Sequence, residues 1–198
     1  MNSEPFATKA AAGNKHMTFR MPAEWAPHES VWIGFPSSAD AWGAPLQRAQ
    51  QQIAAFANAV HASGQGERVH VIAGSAQAAA IAADLVDSGI HVEQRQIGDV
   101  WLRDTGCIIV KDGDRRIARD FGFNGWGGRY DYPGDRTIGA ELAASAGLEI
   151  RKADWLLEGG SIDVDGQGLA ATTADCLLNP NRNPSLDKAA IRRPGCVR

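Results

Sequence analysis

Apolar and polar positions along this chain change period several times, and each change predicts an element. Residues 31–35, VWIGF, form a continuous apolar run closed by Pro36-Ser-Ser and predict a first strand. From about Pro45 the apolar residues Ile53, Phe56, Ala57 and Val60 recur at three and four, which predicts a helix ending near Gly64. Residues 68–73 predict a second strand. Ser75 is placed to cap an alanine-rich helix that carries Ala79, Ala82, Ala83 and Val86 to Gly89, and residues 90–97 alternate as a third strand.

Further on, residues 106–110 and 116–121 flank Lys111-Asp-Gly-Asp114, whose Asp-Gly pair tolerates positive φ and predicts an antiparallel hairpin. A glycine- and aromatic-rich loop covers residues 122–133. A helix over 135–146 and a strand over 148–152 follow, then a second hairpin from residues 161–164 and 169–173 around Asp165-Gly-Gln-Gly168. The order helix, strand, hairpin thus occurs twice, which predicts a modular mixed α/β (α+β) fold and not a doubly wound parallel sheet.

Composition narrows the class. The 198 residues, 44% hydrophobic and 22% charged, are enough for one ordinary globular domain. Twenty Lys plus Arg against 23 Asp plus Glu give a formal charge of −3 with no basic block, which argues against a nucleic-acid partner. No apolar stretch approaches the roughly 18 residues of a membrane helix, and residues 1–15 lack the apolar middle of a secretory signal. A reducing cytoplasm is the expected compartment. Cys107, Cys176 and Cys196 are scattered, with no Cys-x-x-Cys or Cys/His spacing. His16, His28, His61, His70 and His91 read as isolated, so no metal site is expected.

The chemistry concentrates at two carboxylates. Asp104 lies in Asp99-Val-Trp101-Leu-Arg103-Asp104-Thr-Gly106 and Glu158 in Trp155-Leu-Leu-Glu158-Gly-Gly160-Ser, each expected at a strand end and half out of water. Only a charged or strongly hydrogen-bonding partner offsets that desolvation. A guanidinium is such a partner, because its flat fork of donors meets a carboxylate with two parallel bonds. Trp101, on an extended stretch, and Trp126, in Phe123-Asn-Gly-Trp126-Gly-Gly128, offer faces for stacking. Structural roles remain open beside these. Asp104 can pair with Arg103 or cap Thr105-Gly106, Glu158 can cap a bend at Gly159-Gly160, and Trp126 can belong to a packed loop. The glycines around Trp126 lack the Lys-Ser/Thr of a phosphate loop. Asp163-Val-Asp165-Gly-Gln-Gly168 lacks the later ligands of a calcium loop, and Asn179-Pro-Asn-Arg-Asn183-Pro184 reads as a rigid polar turn.

Five segments in order resemble agmatine deiminase, of the bacterial peptidylarginine-deiminase-like family. They are Met21-Pro-Ala-Glu-Trp25-Ala-Pro-His28-Glu, the Asp104 and Trp126 segments, Leu157-Glu158-Gly-Gly160-Ser-Ile and Cys176-Leu-Leu-Asn-Pro-Asn-Arg-Asn-Pro184. The resemblance covers about residues 21–185. It implies the pentein fold, a β/α-propeller of αβ modules of which this chain would form the first half to three fifths. It also implies hydrolysis of agmatine to N-carbamoylputrescine and ammonia by thiolate attack, without cofactor, with Asp104 and Glu158 holding the guanidinium and Trp101 and Trp126 lining the pocket.

The His-x-Asp segment and the Gly-rich cysteine segment that the resemblance calls for are not found in this sequence, so neither nucleophile nor general base is assigned. Cys196, beside Arg192, Arg193 and Arg198, lacks both a held position and a neighbouring histidine. The expected organisation is a flexible segment over residues 1–20, a partial deiminase domain over 21–185 and an aberrant tail over 186–198. The alternatives are a non-catalytic remnant that binds a guanidino or polyamine cation, or a deiminase acting on peptidyl-arginine. Self-association through unpaired module faces is expected.

Overall fold

The structure, a computed structural model, describes residues 19–191. The terminal segments, Cys196 among them, lie outside the described residues. The chain divides into two compact units, one of residues 27–102 with 132–138, the other of residues 19–26, 103–131 and 139–191.

The 27–102 unit is built on a parallel sheet in the order β1 (Ser30–Phe35), β2 (Arg68–Ala73), β3 (His91–Gln94). After a short turn α1 (Ala39–Trp42), helix α2 (Leu46–His61) crosses from β1 to β2, and α3 (Ala76–Leu85) crosses from β2 to β3. Ser75 caps α3 as its position predicts, its hydroxyl accepting from the Ala78 N–H. Alternate residues of β2, Val69, Val71 and Ala73, pack with Ile33, Phe35, Ala54, Ala57, Ala78 and Ala82 into one core. Phe56, expected on the packed face of α2, is 56% exposed, and Ala83 of α3 also faces out, because the sheet admits only the small Ala54–Ala57 and Ala78–Ala82 rows. Strand β3 is shorter than the 90–97 expected.

The histidines of this unit are not isolated. The parallel register sets His70 of β2 directly against His91 of β3, with Glu93 two residues on. His28 lies 3.2 Å from Glu67. Sequence spacing hides these pairs, since it takes strand register to bring residues 21 or more positions apart together.

The second unit follows the predicted order. After the one-turn helix α4 (Leu102–Thr105), β4 (Ile108–Asp112) and β5 (Arg115–Gly122) form the antiparallel hairpin. Gly113 sits at φ 61° in the two-residue turn between register partners Asp112 and Arg115. The turn α5 (Gly125–Gly128) and helix α6 (Ile138–Ser145) lead to β6 (Glu149–Leu156), parallel to β5, giving the sheet order β4-β5-β6. Helix α6 begins at Ile138 and not at Asp135. The Asp135 carboxylate instead accepts the Gly98 N–H at 2.7 Å, and burial raises its carboxyl pKa. Ile108, Val110, Ile117, Trp155, Leu157 and Leu177 make the core. A second antiparallel hairpin, β7 (Ile162–Val164) with β8 (Ala170–Thr172), turns on Asp165, whose Oδ1 accepts the N–H groups of Gln167 and Leu169. The short helices α7 (Ala174–Leu177) and α8 (Lys188–Ile191) follow. The class is mixed α/β as the pattern predicts, with the all-parallel β1-β2-β3 sheet as its unforeseen part. No helix among the described residues is long and apolar enough to cross a membrane.

Candidate functional site

Asp104 stands in α4, a single helical turn and not the strand end expected from its apolar approach. Its two oxygens are claimed by donors from separate segments, which holds the turn closed. Oδ2 accepts the indole N–H of Trp126 at 2.9 Å, and Oδ1 accepts the backbone N–H of Gly160 at 2.8 Å. The Arg103 side chain is drawn elsewhere, to a bidentate pair with Glu24 at 2.7 Å for each bond. Among the described residues no Lys or Arg hydrogen-bonds Asp104, so two neutral donors hold this half-buried carboxylate and leave its charge uncancelled by a direct ion pair.

Glycine makes this approach physically achievable. A Cβ at Gly160 would lie 2.4 Å from Asp104 Oδ1, and one at Gly159 would lie 2.3 Å from the Arg103 carbonyl oxygen. Both are far inside contact distance. Gly160→Ala is therefore expected to break the Asp104 hydrogen bond and destabilise the chain by about 1–3 kcal/mol, the overpacking range. A urea melt indistinguishable from that of the parent would show that the two segments do not abut.

Trp126 is held in a conformation rare for a side-chain-bearing residue, φ 56° and ψ 48°, within a run of positive φ through Gly125, Gly127 and Gly128. The run is secured at both ends. Asn124 Oδ1 accepts the Gly127 N–H, Asn124 Nδ2 donates to the Asn181 carbonyl, and the indole packs edge-on against Phe123 and Tyr130 at 4.9 and 5.8 Å. The strained backbone is what turns the indole N–H onto Asp104.

Glu158 follows the end of β6 and is only 6% exposed. Its Oε1 accepts Nε of Arg182 at 2.6 Å. Among the described residues Oε2 carries no hydrogen bond. Arg182 reaches Glu158 from the polar turn over 179–184. There the Asn183 side chain accepts from Leu156 N and donates to the Leu156 and Leu177 carbonyls, while Asn179 Oδ1 accepts the Asn181 N–H. The expected rigid turn is present, and Arg182 is the site residue that sequence reasoning missed. The available signal was a cation fixed inside a turn with two prolines. The Arg182 guanidinium also lies against the Trp126 loop, where a Cβ on Gly127 would be 3.1 Å from its Nη1.

The structure thus joins three of the four expected site residues. Asp104, Trp126 and Glu158 share one cluster through Gly160 and Arg182. Trp101 belongs to the other unit, with 52% of its surface exposed. Cys107 precedes β4 as an inert thiol, since burial, reinforced by the Asp120 charge, pushes its pKa up to about 11.

Residues 20–194 match the family model described as Porphyromonas-type peptidyl-arginine deiminase. The chain belongs to this family. It is 41% identical over 202 residues to the agmatine deiminase of Pseudomonas aeruginosa (strain LESB58), an alignment that covers 96% of this chain and 52% of that protein. Among solved structures it is similar to the agmatine deiminase of Enterococcus faecalis, with TM-score 0.78, 33% identity and coverage of 87% of this chain and 48% of that one. It is also similar to a cysteine-to-serine variant of the C. jejuni agmatine deiminase with substrate bound, with TM-score 0.80, 28% identity and coverage of 92% and 54%. The chain spans about half the length of the relatives it matches. The family that the five sequence segments resemble and the mixed α/β class read from the element pattern are both borne out.

Proposed function

We propose that the protein hydrolyses agmatine to N-carbamoylputrescine and ammonia, and that this chain supplies the part that holds the guanidinium. The observation that carries the reading is Asp104, a half-buried carboxylate fixed by neutral donors, with its charge left to meet a cation. Membership of the deiminase family and the names of the relatives support the substrate class.

In this reading Asp104 accepts from one edge of the guanidinium and Glu158 from another through Oε2. Trp126 borders the bound group. Arg182 fixes the Glu158 carboxylate in one orientation. Holding the guanidinium carbon still and cationic prepares it for attack, because the positive charge makes the carbon electrophilic and a fixed geometry removes the entropy of alignment. The free thiols of Cys107 and Cys176 support a cytoplasmic setting. Strands β6 and β8 each pair with a single neighbour among the described residues, which supports self-association through strand edges.

The test is binding and turnover with the 198-residue chain. Agmatine is expected to bind at least tenfold more tightly than putrescine, which lacks the guanidinium, as one charge-assisted hydrogen bond contributes about 1.5–3 kcal/mol. No ammonia release is expected, since attack needs a thiolate and Cys107 is held protonated. Equal affinity for the two amines would sink the guanidinium reading. Turnover abolished by Cys176→Ala would assign the nucleophile to this chain and overturn the division of labour. The family description keeps peptidyl-arginine as a second reading, and it would replace agmatine if an arginyl peptide displaced agmatine at equal concentration.

A further inference from the structure

We propose that His70, His91 and Glu93 form a binding site for a divalent ion of the zinc class on the face of the β1-β2-β3 sheet opposite helices α2 and α3. Residues 69, 71 and 73 of β2 turn toward the helical core, so His70 points to the other face, and the parallel register sets His91 beside it. Glu93, two residues after His91, returns to the same face. The site uses no residue of the Asp104–Glu158 cluster.

The spacing of the three ligand atoms is that of a zinc site. Zinc bonds of about 2.0–2.2 Å to nitrogen and oxygen place neighbouring ligand atoms of a tetrahedral site about 3.3–3.5 Å apart. His70 Nδ1 lies 3.3 Å and His91 Nε2 lies 3.6 Å from the same oxygen, Glu93 Oε1. Two edges of the tetrahedral face are therefore at ligand spacing already. The third is no longer than 4.8 Å, and the His91 ring, 63% exposed, is able to turn to close it.

The carboxylate is also oriented for the task. Arg95 Nη2 donates to the opposite oxygen, Glu93 Oε2, at 2.8 Å and leaves Oε1 facing both imidazoles. Such a supporting hydrogen bond is the usual companion of a metal ligand. Burial by itself would raise the Glu93 carboxyl, but the hydrogen bonds of Arg95 and His70 outweigh it and hold the pKa below the ordinary value. Two imidazoles and one carboxylate select Zn2+, Co2+, Ni2+ or Cu2+ over Mg2+ or Ca2+, and three protein ligands leave a position for water. A bound ion would tie the edge strand β3 to β2.

The experiment is a Co2+ titration of the full chain, without a polyhistidine tag, followed by visible absorption, with Zn2+ as competitor. One equivalent of Co2+ is expected to give a four-coordinate spectrum without a thiolate-to-cobalt band, and Zn2+ is expected to erase it and raise the melting temperature of the parent. His91→Gln, at an exposed position, and Glu93→Gln are each expected to weaken binding at least tenfold with unchanged circular dichroism, since even a supporting partner is worth about 10–100-fold. Unchanged affinity in both variants, binding no tighter than that of free histidine, or a thiolate band lost on cysteine substitution would each overturn the site.

Discussion

Replacing Arg182 by methionine is expected to lower the free energy of unfolding by about 3–5 kcal/mol, the cost of stripping one partner from a buried ion pair. The side chains of Arg182 and Glu158 are only 16% and 8% exposed, and Nε to Oε1 is 2.6 Å. Methionine keeps much of the volume and none of the charge, which leaves the Glu158 carboxylate desolvated without its cation. Small domains are stable by about 5–15 kcal/mol in total, so the shift in the urea midpoint is expected to be large at an unchanged slope. The double variant Arg182→Met with Glu158→Leu is expected to recover most of the loss, because no buried charge remains to be compensated. A loss under about 1 kcal/mol for the single variant is the scale of an exposed pair and would show that Arg182 does not hold Glu158.

Asp104→Asn is the second change with a large expected effect, here on binding. The amide keeps the shape of the carboxylate, but it replaces one acceptor by a donor and removes the charge. Either the Trp126 indole or the Gly160 N–H then faces an N–H group, a mismatch that costs about 1–3 kcal/mol. Agmatine affinity is expected to fall at least tenfold, and up to about a hundredfold, from the lost charge-assisted bonds. Trp126→Phe serves as the comparison. It removes the indole hydrogen bond while leaving the Asp104 charge, and its loss of affinity is expected to be several-fold smaller. Calorimetric titration reads both variants. If Asp104→Asn binds agmatine as the parent does, Asp104 is a structural acceptor for Trp126 and Gly160 alone.

Asp104 and Arg182 mark the boundary of what the sequence makes legible. Asp104, Glu158 and Trp126 were identifiable because each is an unusual residue in a glycine-bearing apolar context. Their partners were harder to find. Arg182 looked like one polar residue in a turn of several, and nothing within its own turn indicates that its guanidinium lies on Glu158, 24 positions earlier. Asp104 was expected at a strand end because an apolar run precedes it. The helical turn forms instead because Trp126 and Gly160, 22 and 56 residues away, both donate to its carboxylate.

Elements whose causes are local emerged from the chain's own pattern. The Ser75 hydroxyl reaches a backbone N–H three residues on, and Gly113 supplies a positive φ between two alternating strands. The polar side chains over 179–184 were expected to fix their own turn, as Asn179 does. Each of these rests on atoms within a few bonds of the residue that determines it, so the residue order is sufficient. The Arg182–Glu158 pair, the left-handed Trp126 and the His70–His91–Glu93 group depend on register and packing between distant segments. They exist only once burial has brought those segments together, because electrostatic and hydrogen-bond energies act over a few ångströms of space, whatever the separation along the chain.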